Sequence, residues 1–182
     1  MNLPNYITLL RILLVPVFFT VLISFKNGED PFRWIALGIF LFATLTDALD
    51  GFLARITKRQ TPLGRFLDPF ADKLLILSGF LGILGLDALP YRPPLWVTVT
   101  IVFRDLMIVV GMLTIFLVSG DLRVQPNLVG KLTTAAQMLT LIAILMASPI
   151  AVPFWYATAA LTILSFLLYL IREMRRLAVT NG

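Results

Sequence analysis

The chain has 182 residues, 59% of them hydrophobic and 14% charged, with a mean hydropathy of +0.93, a composition too apolar for a water-soluble domain. Its net charge of +5 does not point to nucleic acid, because the basic residues are sorted between connecting segments instead of gathering on one polar face. With no cysteine and no histidine, disulfides, thiolate zinc sites and imidazole acid–base chemistry are excluded, so carboxylates must carry any acid–base or metal work.

Six apolar stretches, at 7–25, 34–54, 74–90, 95–118, 128–148 and 153–171, each come close to the about 20 residues that cross a bilayer as a helix. They predict an all-α integral membrane protein with one domain over 1–182, without repeats or low-complexity tracts. Pro4 and Asn5 open the first helix, where proline's missing N–H costs nothing. Residues 1–5 carry no basic run and no small-residue cleavage site precedes Lys26, so the first helix reads as retained. Arg11 is expected to snorkel to the interface. The 26–33 segment reads as an outer turn, and the long polar stretch from Arg55 to Asp68 as an inner loop. Pro90, Pro93 and Pro94 mark the next outer turn, Gly120 to Asn127 an inner one, and Ser148, Pro149 and Pro153 the last outer one. Arg55, Lys58, Arg59, Arg65, Lys73, Arg123, Lys131, Arg172, Arg175 and Arg176 fall on one side, against Lys26, Arg33 and Arg92 on the other. The positive-inside rule then puts both termini in the cytoplasm. Short loops and the lack of a targeting segment suit a bacterial inner membrane. Gly38, Gly79, Gly82 and Gly85 offer close-packing faces of the kind a homodimer uses.

Ionisable side chains in apolar helices cost several kcal/mol, so Asp47 and Asp50 at the end of the second stretch demand a cation or strong donors. Their i, i+3 spacing puts both on one helix face. Asp68 and Asp72, at i, i+4 and about 6 Å of helical rise apart, begin the third stretch on the same side. A tight hairpin would gather four carboxylates whose repulsion hard cations relieve, and oxygen-only ligands suit Mg²⁺ or Mn²⁺. The competing reading pairs these aspartates with Arg55, Arg65 and Lys73. Gly51, Ala54 and Gly64 leave smooth strips one turn from the carboxylates, where a base or diphosphate could approach the backbone.

The string Asp47-x-x-Asp50-Gly51-x-x-Ala54-Arg55, eight residues, Gly64-x-x-x-Asp68-x-x-x-Asp72 closely resembles the signature of the CDP-alcohol phosphatidyltransferase family, and the six-stretch layout extends the likeness over essentially the whole chain. The resemblance implies a six-transmembrane-helix bundle with a polar cavity open to the cytoplasm, where two divalent ions bind the diphosphate of CDP-diacylglycerol. By motif position Asp47, Asp50, Asp68 and Asp72 would be metal ligands and Asp72 also the general base. Gly51, Ala54, Arg55, Thr61 and Gly64 would lie along the CDP-lipid, with Asn5 and Thr8 assisting from the first helix.

Arg104 and Asp105 form an ionisable pair inside the fourth stretch, and Lys131 opens the fifth helix. The bland reading pairs Arg104 with Asp105 internally; the functional one has Arg104 and Lys131 hold the phosphate of an acceptor alcohol. Pro4-Asn5-x-x-Thr8-x-x-Arg11, Arg104-Asp105 and Gly130-Lys131-x-Thr133 through Gln137-Met138 resemble the phosphatidylglycerolphosphate synthase branch, whose acceptor is glycerol 3-phosphate. Met112 stands where that branch usually has a second arginine. The related cardiolipin synthases, which use phosphatidylglycerol, lack it too and remain the alternative. A small cation transporter is a remoter one, since its carboxylates would be spread through the membrane depth.

Overall fold

A computed structural model of the chain describes residues 3–25, 30–57, 62–119 and 128–180, with side chains over 7–25, 31–47, 67, 69–111, 113–114, 117, 128–169 and 171. Among these residues all regular structure is helical: α1 (Leu3–Ile23), α2 (Asp30–Thr57), α3 (Pro62–Leu84), α4 (Leu95–Ser119), α5 (Leu128–Leu145) and α6 (Ala151–Thr180). Each helix grows from one of the six apolar stretches, in order. The boundaries move where polar residues are themselves helix formers. α2 runs to Thr57 and α3 begins at Pro62, so most of the segment expected as an inner loop is helical. Pro62 sits at the first helical position, where proline is preorganised. α6 likewise continues past residue 171 through Arg-Glu-Met-Arg-Arg-Leu-Ala, all residues of good helix propensity.

α3 is the central element, packed on α1, α4 and α5, while α1 lies against both α2 and α3 and α6 covers α4 and α5. Direct contact between α2 and α3 is slight among the described residues. Among the described residues the aspartate-bearing helices meet across α1; the end of α2 and the start of α3, where the tight hairpin is expected to close, have their surroundings outside those residues. Phe18 and Leu22 of α1, Phe40 of α2, Ile76, Phe80 and Ile83 of α3 and Leu141 and Ile144 of α5 form the buried core. Small residues set the spacing. A Cβ on Gly82 would fall 2.6 Å from Leu22 Cδ2, and one on Gly79 would fall 3.0 Å from Leu141 Cδ1. These two glycines close-pack α3 inside the subunit, whereas Gly38 faces open space. Between α5 and α6, Thr140 and Thr158 share a 2.8 Å hydrogen bond, polar glue of the kind apolar bundles use.

Leu128–Leu145 and Ala151–Tyr169 have the length and hydropathy to cross a bilayer, and Ile7–Ile23 is a shorter apolar helix. Outward-facing Leu13, Phe42, Leu81, Leu95, Leu132 and Leu164 are exposed, one on each of the six helices.

Candidate metal and substrate site

Three helices carry the acidic half of the site. Asp47 lies about three turns before the end of α2 and Asp72 about three turns into α3, so antiparallel neighbours bring them to one level. Arg11 of α1 reaches Asp47. It lies on the stripe of Phe18 and Leu22, is itself 1% exposed, and its Nη2 stands 2.5 Å from Asp47 Oδ1. The expectation that Arg11 snorkels outward is thus corrected: helical periodicity puts it on the buried face, and Asp47 supplies the counter-charge that burial demands. Thr8, one turn earlier, is buried on the same side. Asp72 Oδ1 is buried and accepts no hydrogen bond; the charges acting on Asp72 are those of Asp47, Lys73, Arg11 and Asp105.

The basic half lies on the other side of α3. Successive helical residues point about 100° apart, so while Asp72 faces α1 and α2, Lys73 turns toward α4 and α5. Lys73 Nζ lies 3.2 Å from Asp105 Oδ1 and donates to Thr134 Oγ1 at 3.0 Å and Gln137 Oε1 at 3.4 Å. Arg104 Nη1 donates to the same Asp105 oxygen at 2.7 Å, and Nη2 to Ser165 Oγ of α6 at 2.7 Å. Arg104, Asp105 and Gln137 are buried, yet Arg104 Nε, Asp105 Oδ2 and Gln137 Nε2 have no hydrogen-bond partner. Two cations against one anion leave this cluster electropositive, whereas Asp47, Asp72 and Arg11 make an electronegative one. The two centres sit back to back on consecutive residues of α3.

The sequence-predicted residues distribute unevenly over this geometry. Asp47 and Asp72 come together. Arg104 takes the internal pairing with Asp105 and adds Ser165. Lys131 is exposed, but Gly130 beside it neighbours Arg104: a Cβ there would lie in ordinary contact, 3.7 Å, with Nη2. Asn5, Asp50, Gly51, Ala54, Arg55, Gly64 and Asp68 lie on α1, α2 or α3 with surroundings outside the described residues, as do the side chain of Met112 and all of Thr61. Sequence reasoning missed the roles of Arg11 and Lys73. The signal for Arg11 was its spacing of seven and eleven residues from Phe18 and Leu22, and for Lys73 its place on the stripe of Leu77 and Phe80, all four of these apolar residues being buried.

Among the described residues no three potential ligands gather around one point. What is described nevertheless fits a hard cation: the donors are carboxylate oxygens only, and one of them, Asp72 Oδ1, is buried without a hydrogen-bond partner.

The CDP-alcohol phosphatidyltransferase family model matches residues 1–171. The chain is 38% identical over 190 aligned positions to the CDP-diacylglycerol–glycerol-3-phosphate 3-phosphatidyltransferase of Pseudomonas fluorescens, covering 93% of this chain and 89% of that one. It is 34% identical over 154 positions to the protein of that name from Bacillus subtilis, covering 80% and 77%. A probable phosphatidylglycerophosphate synthase of Mycobacterium tuberculosis is 43% identical over 109 positions, 60% of this chain and 50% of that one. With its signature aspartates on α2 and α3 and the match running through all but the last residues, the chain belongs to the CDP-alcohol phosphatidyltransferase family.

Proposed function

We propose that this protein is a divalent-metal-dependent membrane enzyme that moves a phosphatidyl group from CDP-diacylglycerol to glycerol 3-phosphate, releasing CMP and forming phosphatidylglycerol phosphate. The observation that carries this reading is the pair of oppositely charged centres on successive residues of α3. An electronegative centre at Asp47 and Asp72 suits a metal-bound diphosphate. An electropositive centre at Lys73 and Arg104 suits an anionic acceptor beside it. The relatives named for glycerol 3-phosphate, aligned over most of the chain, favour that acceptor over phosphatidylglycerol.

In this reading Asp47, Asp50, Asp68 and Asp72 hold two Mg²⁺ or Mn²⁺ ions, which supply charge compensation for the diphosphate and the departing CMP. Asp72 accepts the proton of the acceptor hydroxyl as that oxygen bonds to the lipid-side phosphorus and the bond from that phosphorus to the CMP oxygen breaks. Gly51, Ala54, Arg55, Thr61 and Gly64, with Asn5 and Thr8, line the path of the CDP-lipid. Arg104 and Lys131 bind the acceptor phosphate. The helices form a six-span bundle whose polar site opens to the cytoplasm of a bacterial inner membrane.

The test is purified protein in detergent or nanodiscs with CDP-diacylglycerol and Mg²⁺ or Mn²⁺, following CMP and the lipid formed. Glycerol 3-phosphate should support CMP release, chelation should stop it, and Asp72→Asn should abolish turnover while CDP-lipid binding persists. CMP release with phosphatidylglycerol but not glycerol 3-phosphate would reassign the acceptor. Normal turnover by Asp72→Asn would remove that residue as the base.

A further inference from the structure

The side chain of Arg11 is fully buried, and its ion pair with Asp47 supplies its counter-charge but leaves its other donors to be accounted for. Beyond the ion pair of Nη2 with Asp47 Oδ1 at 2.5 Å, none of its three nitrogens has a hydrogen-bond partner. A guanidinium has five N–H donors in a rigid plane, and leaving them dry and unpaired is costly. An arginine that served only to neutralise Asp47 would turn its fork onto the carboxylate or onto carbonyls of α1 and α2. Here Nε and Nη1 have no hydrogen-bond partner. Asp72 Oδ1, on the neighbouring α3, is likewise buried and has no hydrogen-bond partner. The donors of Arg11 and this carboxylate oxygen are buried without satisfying one another. They do match a ligand that brings both a cation and anionic oxygens, which is what a metal-bound diphosphate is.

We infer that Arg11 is a substrate-binding residue, its guanidinium donating to the diphosphate oxygens of the nucleotide-activated lipid. This rests on the phosphatidyl-transfer reading above and adds to it a phosphate ligand from α1, outside the aspartate signature on α2 and α3. It also explains why α1 is wedged between α2 and α3: the wedge delivers a donor to the level of the carboxylates.

Two binding measurements separate this role from a structural one. Mn²⁺ binding without substrate is read by electron paramagnetic resonance, and CDP-diacylglycerol binding by titration in micelles with Mg²⁺ and no acceptor. Arg11→Gln should raise the CDP-diacylglycerol Kd about tenfold or more, the size of a lost charge-assisted hydrogen bond. It should leave Mn²⁺ binding as tight as in wild type or tighter, because a cation competing for Asp47 has gone. Arg11→Lys, which keeps the charge and loses the planar fork, should raise that Kd about threefold or more, and it decides the matter if Arg11→Gln does not fold. CDP-diacylglycerol binding of wild-type strength in Arg11→Gln or Arg11→Lys overturns the proposal. So does a parallel loss of Mn²⁺ and CDP-diacylglycerol binding, the mark of an arginine that only positions Asp47. Failure of the underlying reading looks different: wild-type protein itself would bind no CDP-diacylglycerol.

Discussion

Asp105 accepts from two buried cations through one oxygen, Lys73 at 3.2 Å and Arg104 at 2.7 Å, and it is the one anion of that cluster. Removing one partner of a buried charge network strands the rest, which typically costs about 3–5 kcal/mol. Asp105→Asn should therefore lower stability by about 3 kcal/mol or more, seen as a large drop in the thermal midpoint in detergent. Lys131→Gln, at an exposed position, should leave the midpoint nearly unchanged and show its effect in the KM for glycerol 3-phosphate. Equal midpoints for Asp105→Asn and wild type would mean that the cluster is hydrated and not a buried junction. At this scale the sequence singled out Asp47 and Asp72, because a carboxylate in an apolar helix advertises its own cost. It did not reveal their neighbours. Whether Lys73 serves the aspartates on its own helix or Asp105 on another depends on which helices flank α3, and that is decided by core packing such as Leu22 against Gly82.

The connection between α5 and α6 shows how a helix end is built when the usual residue is missing. Ala147 has φ 52°, the left-handed region that glycine normally fills. The amide of Ser148 donates to the carbonyl of Ala143 at 3.0 Å and that of Ala147 to Ile144 at 2.9 Å, the paired bonds of a Schellman cap. Pro149 follows, which cannot prolong the helix. A left-handed alanine costs about 1 kcal/mol, so Ala147→Gly should raise stability by about 0.5–1 kcal/mol, a small upward shift of the same midpoint. A downward shift would show that the lost methyl had been packing. Helix order and number were legible because each apolar stretch is long enough to declare itself. Ends were less so. The Arg55–Asp68 segment looks like a loop by polarity, but its residues tolerate a helix well, and polarity reports solvent or substrate exposure as much as backbone conformation.

Over the whole molecule, two kinds of residue separate along the helices. Trp34, Trp96 and Trp155 all fall in the first two turns of α2, α4 and α6, with Trp96 against Tyr156 at a centroid distance of 6.1 Å and the Arg33 guanidinium over Trp34 at 5.3 Å. In an antiparallel succession of helices those turns lie at one end, opposite the end that carries Asp47 and Asp72. Tryptophan and tyrosine favour the membrane–water interface, so the tryptophans fit one boundary of a bilayer and the charged site the opposite one; the proposed orientation puts the tryptophan end outside. This orientation is open to a direct test, since the chain contains no cysteine and any introduced thiol is a unique probe. Ala88 and Lys131 are both exposed, in the α3–α4 connection and at the start of α5. In bacterial spheroplasts an impermeant maleimide should label Ala88→Cys at once and Lys131→Cys only after the membrane is broken. The reverse pattern would invert the orientation and place the site outside. Labelling of both positions in intact spheroplasts would mean that the segment between them does not cross the bilayer, and would remove the six-span arrangement on which the inward-facing site depends.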